Sequence, residues 1–473
     1  MLLEQSSYLI KSKPKLKELI KLLSKDYQYV SVLATDVGGT NYRYSQRSCD
    51  INPYRFAERG FVVRVYLNGT YQEYSFNKID DVNELANSIK EQLSAQDKML
   101  KALKVEQYPT ALIEEEEIEK QFASTESDNI ATTSKQDIMN KLKEVSDKYA
   151  KKEFIIEAQA TFTHVKISKM FLSEKKDLMQ SFAYSLSAGA LVALKDGKTN
   201  MLFTSESGFI GVEIIDKMAA KLDETYENLI KLFDAPHITP GEYEVICTPE
   251  AAGLIAHEAF GHGLEMDMFV KNRAIAKDHM QEKIASDITD MYDGTDQVID
   301  TASYYFDDEG VLSGTTQILK KGYLVSGMND LLSAMRLNVK PTGNGRRESF
   351  ERKAYTRMTN TYFGEGTNTL EEMIASVKYG FLISNGQSGM EDPKHWGIQC
   401  VLSRASEIKD GKLTGKVFTP VILTGYVPDL LANISMVGKD IVTNGNGMCG
   451  KGYKEWVVVS DGGPYIKTKV RLG

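Results

Sequence analysis

Two imidazoles flank a carboxylate in the segment His257-Glu258-Ala259-Phe260-Gly261-His262. Imidazole nitrogens are common zinc ligands, and a carboxylate beside them can take a proton from water, so these residue types point to metal-assisted hydrolysis. The spacing is HExxxH, one residue longer than the HExxH of many zinc hydrolases. In the shorter pattern the histidines are four residues apart, about 40° round a regular helix at roughly 100° per residue, and both reach one ion. Five residues place them about 140° apart, too far round for a zinc held about 2.0 Å from each nitrogen. The spacing therefore predicts a kink or a wide turn, and Gly261 is the residue best suited to it.

The flanking residues favour a helix as the carrier of this motif. Thr248-Pro249-Glu250 offers an N-cap, a proline at the first helical position and an early acid, and residues 251–256 lead into His257. A catalytic zinc usually has three protein ligands, so a third must be found elsewhere. Glu265, three residues past His262, is one candidate. Cys449 is the other, in the run Asn444-Gly445-Asn446-Gly447-Met448-Cys449-Gly450-Lys451-Gly452. In a glycine-rich loop its sulfur has little bulk around it, and Lys451 would favour the thiolate. The plain alternative is a small apolar residue in a turn. Spacing alone leaves Glu265 and Cys449 both open.

Other constellations carry less. Gly343-Asn344-Gly345-Arg346-Arg347 lacks the lysine and the strand-to-helix setting of a phosphate loop. Arg346 and Arg347 are read as structural partners of Asp307 and Glu309 ahead of a clamp for a peptide carboxylate. Met266 and Met268 read as core filler or cleft lining. His395, beside Trp396, is a transition-state donor only where the fold brings it to the metal, and otherwise a surface or core histidine. The acidic run Glu114-Glu115-Glu116-Glu117 reads as a solvated face or exposed loop.

Six segments occur in the order found in one known family: residues 257–265, Phe306-Asp307-Asp308-Glu309-Gly310, Thr342-Gly343-Asn344-Gly345-Arg346-Arg347, Arg357-Met358-Thr359-Asn360-Thr361-Tyr362, Ile434-Ser435-Met436-Val437-Gly438 and Met448-Cys449-Gly450-Lys451. On these the chain resembles the TldD/PmbA family of metallopeptidases, on its TldD side. The resemblance is specific in the C-terminal half and weaker before residue 236. It implies zinc (Zn2+) held by His257, His262 and Cys449, with Glu258 as general base. It also implies short or unfolded polypeptide substrates, a role in peptide maturation or degradation, and a dimer, either a homodimer or a heterodimer with a PmbA-like subunit. The segment Asn385-Gly386-Gln387-Ser388-Gly389-Met390-Glu391-Asp392-Pro393-Lys394-His395-Trp396 departs from the family's glycine, valine and aspartate pattern. That departure bears on substrate preference more than on chemistry. Two rival readings are a non-catalytic PmbA-like partner, which the intact His257, Glu258, His262 and Cys449 speak against, and a zinc hydrolase of a small non-peptide amide, which the motif permits equally.

Composition sets the frame. At 473 residues the chain exceeds the roughly 250 to 300 at which single cores stop growing, so two domains are expected. A hydrophobic share of 42% with 26% charged residues is globular, and no apolar run is long enough to span a bilayer. The start Met1-Leu2-Leu3-Glu4-Gln5-Ser6-Ser7 lacks the basic and apolar regions of a secretory signal, and Cys49, Cys247, Cys400 and Cys449 show no disulfide spacing. A cytoplasmic protein is therefore expected. A net charge of −8 without a basic patch argues against general nucleic-acid binding.

The elements that must position the motif follow from pattern. Lys13, Lys15, Lys17, Lys21 and Lys25 alternate with inward Leu16, Leu19, Ile20, Leu22 and Leu23 in an amphipathic surface helix. Residues 61–67 and 70–76 form a hairpin about Asn68-Gly69, and residues 191–202 form another about Asp196-Gly197. Helices are predicted over 81–94, 135–151 and 212–233. The connector Ala235-Pro236-His237-Ile238-Thr239-Pro240-Gly241 marks a boundary, after which strands are predicted over 315–323, 399–408, 416–423 and 455–459. The expected class is α+β. A mixed α/β N-terminal domain, residues 1–235, is followed by a mainly antiparallel β C-terminal domain, residues 241–473, with a kinked zinc-binding helix near its start.

Overall fold

A computed structural model describes residues 2–106, 108–125, 127–453 and 455–473. Asn68-Gly69 and Asp196-Gly197 turn the chain back with positive φ at both residues, which asparagine, aspartate and glycine tolerate best. They join Glu58–Leu67 to Thr70–Phe76 and Lys176–Lys195 to Lys198–Gly208. These hairpins belong to an eight-stranded sheet whose main path runs Thr70–Phe76, Glu58–Leu67, Val30–Tyr44, Ile155–Ser173, Lys176–Lys195 and Ile118–Ala123. Strand alternation then sorts its two faces. Val30, Val32, Ala34, Tyr42, Phe162, Met170 and Leu172 are buried under the helices Ser7–Leu23, Val82–Ala102, Lys135–Ala150, Ile214–Ala220 and Leu222–Lys231. Leu33, Phe171 and Leu178 point the other way, onto Phe306.

The remaining strands begin at Gly241 and form two large sheets and a two-stranded one, Gly345–Arg346 with Tyr355–Thr356. One runs Tyr323–Leu324, Thr315–Lys320, Met291–Gly294, Asn360–Phe363, Glu455–Gly463 and Val442–Lys451, antiparallel except where Asn360–Phe363 meets Glu455–Gly463. The other runs Tyr379–Asp392, Gly241–Cys247, Ile466–Leu472, Val421–Tyr426, Gly397–Lys409 and Lys412–Phe418. Pairing of Tyr379–Asp392 with Gly397–Lys409 closes this sheet into a ring. The helix Pro249–Leu254 and the turn after it share one core with both sheets: Ala251, Ile255 and Phe260 pack among Phe363, Val457, Val459, Ile383 and Leu402.

The chain is thus a mixed α/β protein built mostly of strands. Several element bounds differ from the sequence reading, among them 315–323, whose strand stops at Lys320 and turns at Lys321-Gly322. Residues 416–423 are not one strand, because Pro420 has no N–H to continue a ladder, and the run divides into Lys412–Phe418 and Val421–Tyr426. The helical stretch 212–233 breaks at Lys221 into two helices. The helix capped by Asp81, whose carboxylate accepts from the amides of Asn83 and Glu84, continues to Ala102.

The two halves interlock through buried charge. Arg64 lies 2.8 Å from Glu73 and 2.6 Å from Glu309, and Arg347 donates to both Glu73 oxygens. The Gln180 amide donates to the Phe306 carbonyl at 2.9 Å and accepts from the Tyr305 amide at 2.9 Å.

Candidate metal centre

Pro249 occupies the first turn of the motif helix, where a missing N–H is harmless. Thr248 does not cap that helix through its side chain, and its hydroxyl instead donates to the Ile383 carbonyl at 3.3 Å. After Leu254 the helix widens, and Ile255–Gly261 is a π-helix. The His262 amide donates to the His257 carbonyl, five residues back. That wider turn takes up the extra residue of HExxxH and brings the two imidazoles together, with ring centroids 5.1 Å apart and planes at 88°. Gly261 permits the close packing beneath it, since a Cβ there would lie 2.3 Å from Met358 Sδ and 3.0 Å from the Ala256 carbonyl oxygen.

Cys449 arrives from the far end of the chain. The structure places it in the strand Val442–Lys451, opposite Val457, so it sits on a strand and not in a loop. Its Sγ lies 3.4 Å from His262 Nε2. Donor atoms of His257, His262 and Cys449 all fall within 4.8 Å of one another. A tetrahedral zinc with bonds of about 2.0 Å to nitrogen and 2.3 Å to sulfur would separate such donors by roughly 3.5 Å, so the donor set fits that ion. His257 Nδ1 is buried with no hydrogen-bond partner among the described residues.

Charge around the cluster is arranged in layers. Burial alone would raise the Cys449 thiol, but the His257 and His262 imidazoles outweigh it and bring the thiol down to about 5. Burial opposes protonation of His262, yet Cys449 and Glu265 hold its pKa well above the ordinary value. Glu265 stands behind His262, 3.3 Å from its Nδ1, and 2.9 Å from Lys451 Nζ. Against burial, Lys451, His262 and Arg357 keep the Glu265 carboxyl well below the usual range. Arg357, itself fully buried, donates to the carbonyls of Cys449 at 2.6 Å and Glu455 at 3.0 Å. Glu258 is half-buried, with Oε2 3.9 Å from His262 Nε2, and burial raises its carboxyl against the pull of both imidazoles.

The model of the PmbA/TldA metallopeptidase C-terminal domain matches residues 240–470. A metalloprotease of Methanocaldococcus jannaschii is 30% identical over 334 residues, covering 67% of this chain and 72% of that protein. The chain belongs to the PmbA/TldD metallopeptidase family. A zinc metalloprotease TldD homolog of Saccharolobus solfataricus is 28% identical over 313 residues, covering 63% of this chain and 67% of that protein. In fold, the chain resembles TldE from Thermococcus kodakarensis, with a TM-score of 0.75 at 16% identity over 97% of this chain and 100% of that one.

In this PmbA/TldD chain the other residues singled out by sequence fall into place differently. Glu265 lies outside the converging donor set and orients His262. Lys451 does not hold the thiolate; it neutralises Glu265 and Asp267, the latter at 2.6 Å. Arg346 and Arg347 do not pair with Asp307 or Glu309. Arg346 donates to the carbonyls of Met358 and Val458, and Arg347 bonds Glu73, because Glu309 is taken by Arg64 and Asp307 accepts the amides of Glu309, Val311 and Gly345. His395 has its side chain 78% exposed and pairs with Asp392, so it is a surface histidine. Met266 is buried in the core and Met268 packs against it. Glu114, Glu116 and Glu117 are exposed, while Glu115 accepts from Tyr29 at 3.0 Å.

Two contributors escaped the sequence reading. Arg357 lies within a segment that carries the family resemblance, but its role as the tie between Glu265 and the Cys449 strand depends on packing. Glu391, on the strand Tyr379–Asp392, accepts the Gly263 amide at 2.7 Å, directly after His262. Burial, partly offset by that amide and by His262, pushes its carboxyl up to about 8. Its one sequence signal is that it falls in the segment that departs from the family pattern.

Proposed function

We propose that this chain is a zinc-dependent peptidase that hydrolyses short or unfolded polypeptides, with His257, His262 and Cys449 as metal ligands and Glu258 as general base. The observation that carries the reading is the convergence of three donors from two distant segments, with a free carboxylate beside them. Zinc bound there would polarise the scissile carbonyl and make a water more acidic. Glu258 takes the proton from the attacking water and passes it to the leaving amine. A carboxyl raised by burial suits a group that must both accept and return a proton near neutral pH. Glu265 fixes the tautomer and orientation of His262, as partners behind metal-bound histidines do.

The proposal includes a division at 1–235 and 241–473, in which the second part carries the chemistry and the first braces it. It also includes a cytoplasmic role in peptide maturation or degradation, and a dimer, homomeric or with a PmbA-like subunit. Light scattering should give twice the mass of the single chain, or that of a one-to-one complex when a PmbA-like subunit is present.

Paired substitutions test the site. Cys449→Ala removes the charged donor, so zinc content and hydrolysis of an unfolded peptide should fall together. Glu258→Gln leaves every ligand in place, so zinc should stay while hydrolysis drops by on the order of 10²- to 10⁴-fold. Loss of zinc from Glu258→Gln would make Glu258 a ligand, and full zinc in Cys449→Ala would remove Cys449 from the site.

A further inference from the structure

The strand Tyr379–Asp392 runs beside the motif helix, and its inward face touches the base directly. A Cβ at Gly389 would lie 2.5 Å from Glu258 Cγ. Two residues on, and so on the same face, stands Glu391. One of its oxygens is anchored, Oε2 accepting the Gly263 amide at 2.7 Å. The other, Oε1, is shielded from water and has no hydrogen-bond partner among the described residues. Among the described residues no lysine or arginine pairs with this carboxylate. Its counterpart Glu265, also beside His262, is balanced by Lys451 and Arg357.

Glu391 is not among the donors that converge with the two histidines and Cys449. Holding the Gly263 amide needs only a neutral oxygen, which glutamine would supply as well. What remains is the second oxygen, placed next to the base and without a partner among the described residues. A buried carboxylate is strongly disfavoured unless a cation meets it, and a substrate bound at Glu258 can bring one.

We propose that Glu391 determines specificity by receiving a primary ammonium group of the substrate beside the scissile bond, either the free α-amino group of a short peptide or a lysine side chain. This rests on the peptidase reading above and narrows it to cationic substrates. It also gives a physical role to the segment in which this chain departs from the family pattern.

Three peptides of equal length test it: an alanine-rich peptide with a free amino terminus, its N-acetylated form, and an N-acetylated form with lysine first. The ratio of kcat/KM between ammonium-bearing and neutral peptides should fall roughly 10- to 100-fold in Glu391→Gln, mainly through KM, as one charge-assisted hydrogen bond is lost. Zinc content should not change. The free-terminus and lysine arms separate the two sources of the ammonium. An equal loss on all three peptides would make Glu391 a support of the fold or the metal and overturn the proposal. Equal rates of the unsubstituted protein on all three would do the same, whether or not Glu391→Gln folds. Calorimetric titration of the same peptides into zinc-loaded Glu258→Gln protein, with and without Glu391→Gln, reads recognition without turnover. Should no peptide be hydrolysed, the peptidase reading falls, while tighter binding of the ammonium-bearing peptides that is lost with Glu391→Gln still supports the proposal.

Discussion

Glu265 is the residue on which the candidate centre turns, although it is not one of the converging donors. It is fully buried and faces His262 on one side and two cations, Lys451 and Arg357, on the other. Glu265→Gln keeps its shape but leaves those cations unbalanced and weakens its hold on His262. Zinc affinity, measured by competition with a chelator, should fall about 10- to 100-fold. An unchanged affinity would show that His262 is oriented by its place on the helix alone. The proposed ligand identities were open from spacing and chosen only through the family resemblance. Geometry explains why. Glu265 is three residues from His262 and Cys449 is 187 away, yet packing turns the nearer residue to face Lys451 and brings the farther one in.

At the scale of elements, the π-helix Ile255–Gly261 converts a spacing unfit for a regular helix into a shared site. Its close contact with Met358 makes Gly261 hard to replace. Gly261→Ala should lower stability by about 1–3 kcal/mol and weaken zinc binding. Met358→Ala should cost less in that background than in the unsubstituted chain, because it removes the nearest neighbour of the new Cβ. Denaturant unfolding of the two single variants and the pair checks this, and strict additivity would count against it. Turns were legible in the sequence where a local signal decides them: Asn68-Gly69 and Asp196-Gly197 set their hairpins alone. The strand that carries Cys449 was not. Its glycines read as a loop, and only pairing with Glu455–Gly463 makes it extended. The partners of Arg347 were hidden for the same reason, since Glu73 lies 274 residues away while Asp307 and Glu309 look close in the chain.

For the whole molecule, the cluster of Arg64, Glu73, Glu309 and Arg347 joins the two halves. Against burial, Arg347 and Arg64 hold the Glu73 carboxyl well below its ordinary value near 4.5. The sign follows from that depression: the pairing stabilises the fold fully above about pH 4.5 and is lost as pH falls below it. Glu73→Gln should therefore lower stability by about 3 kcal/mol at pH 7, with the difference from the unsubstituted protein shrinking toward pH 3. Denaturant midpoints across that range check it; a difference independent of pH would mean that packing and not charge is responsible.

The 187 residues between His262 and Cys449 also set a schedule. A ribosome adding about 5–20 residues per second needs roughly 10 to 40 s to pass from one to the other. Throughout that interval the growing polypeptide has both imidazoles and lacks the sulfur that would complete the set. Under the proposed ligand set, hydrolytic capacity would wait for the strand that carries Cys449, so a growing chain still short of it would not digest itself or its unfolded neighbours at the exit tunnel.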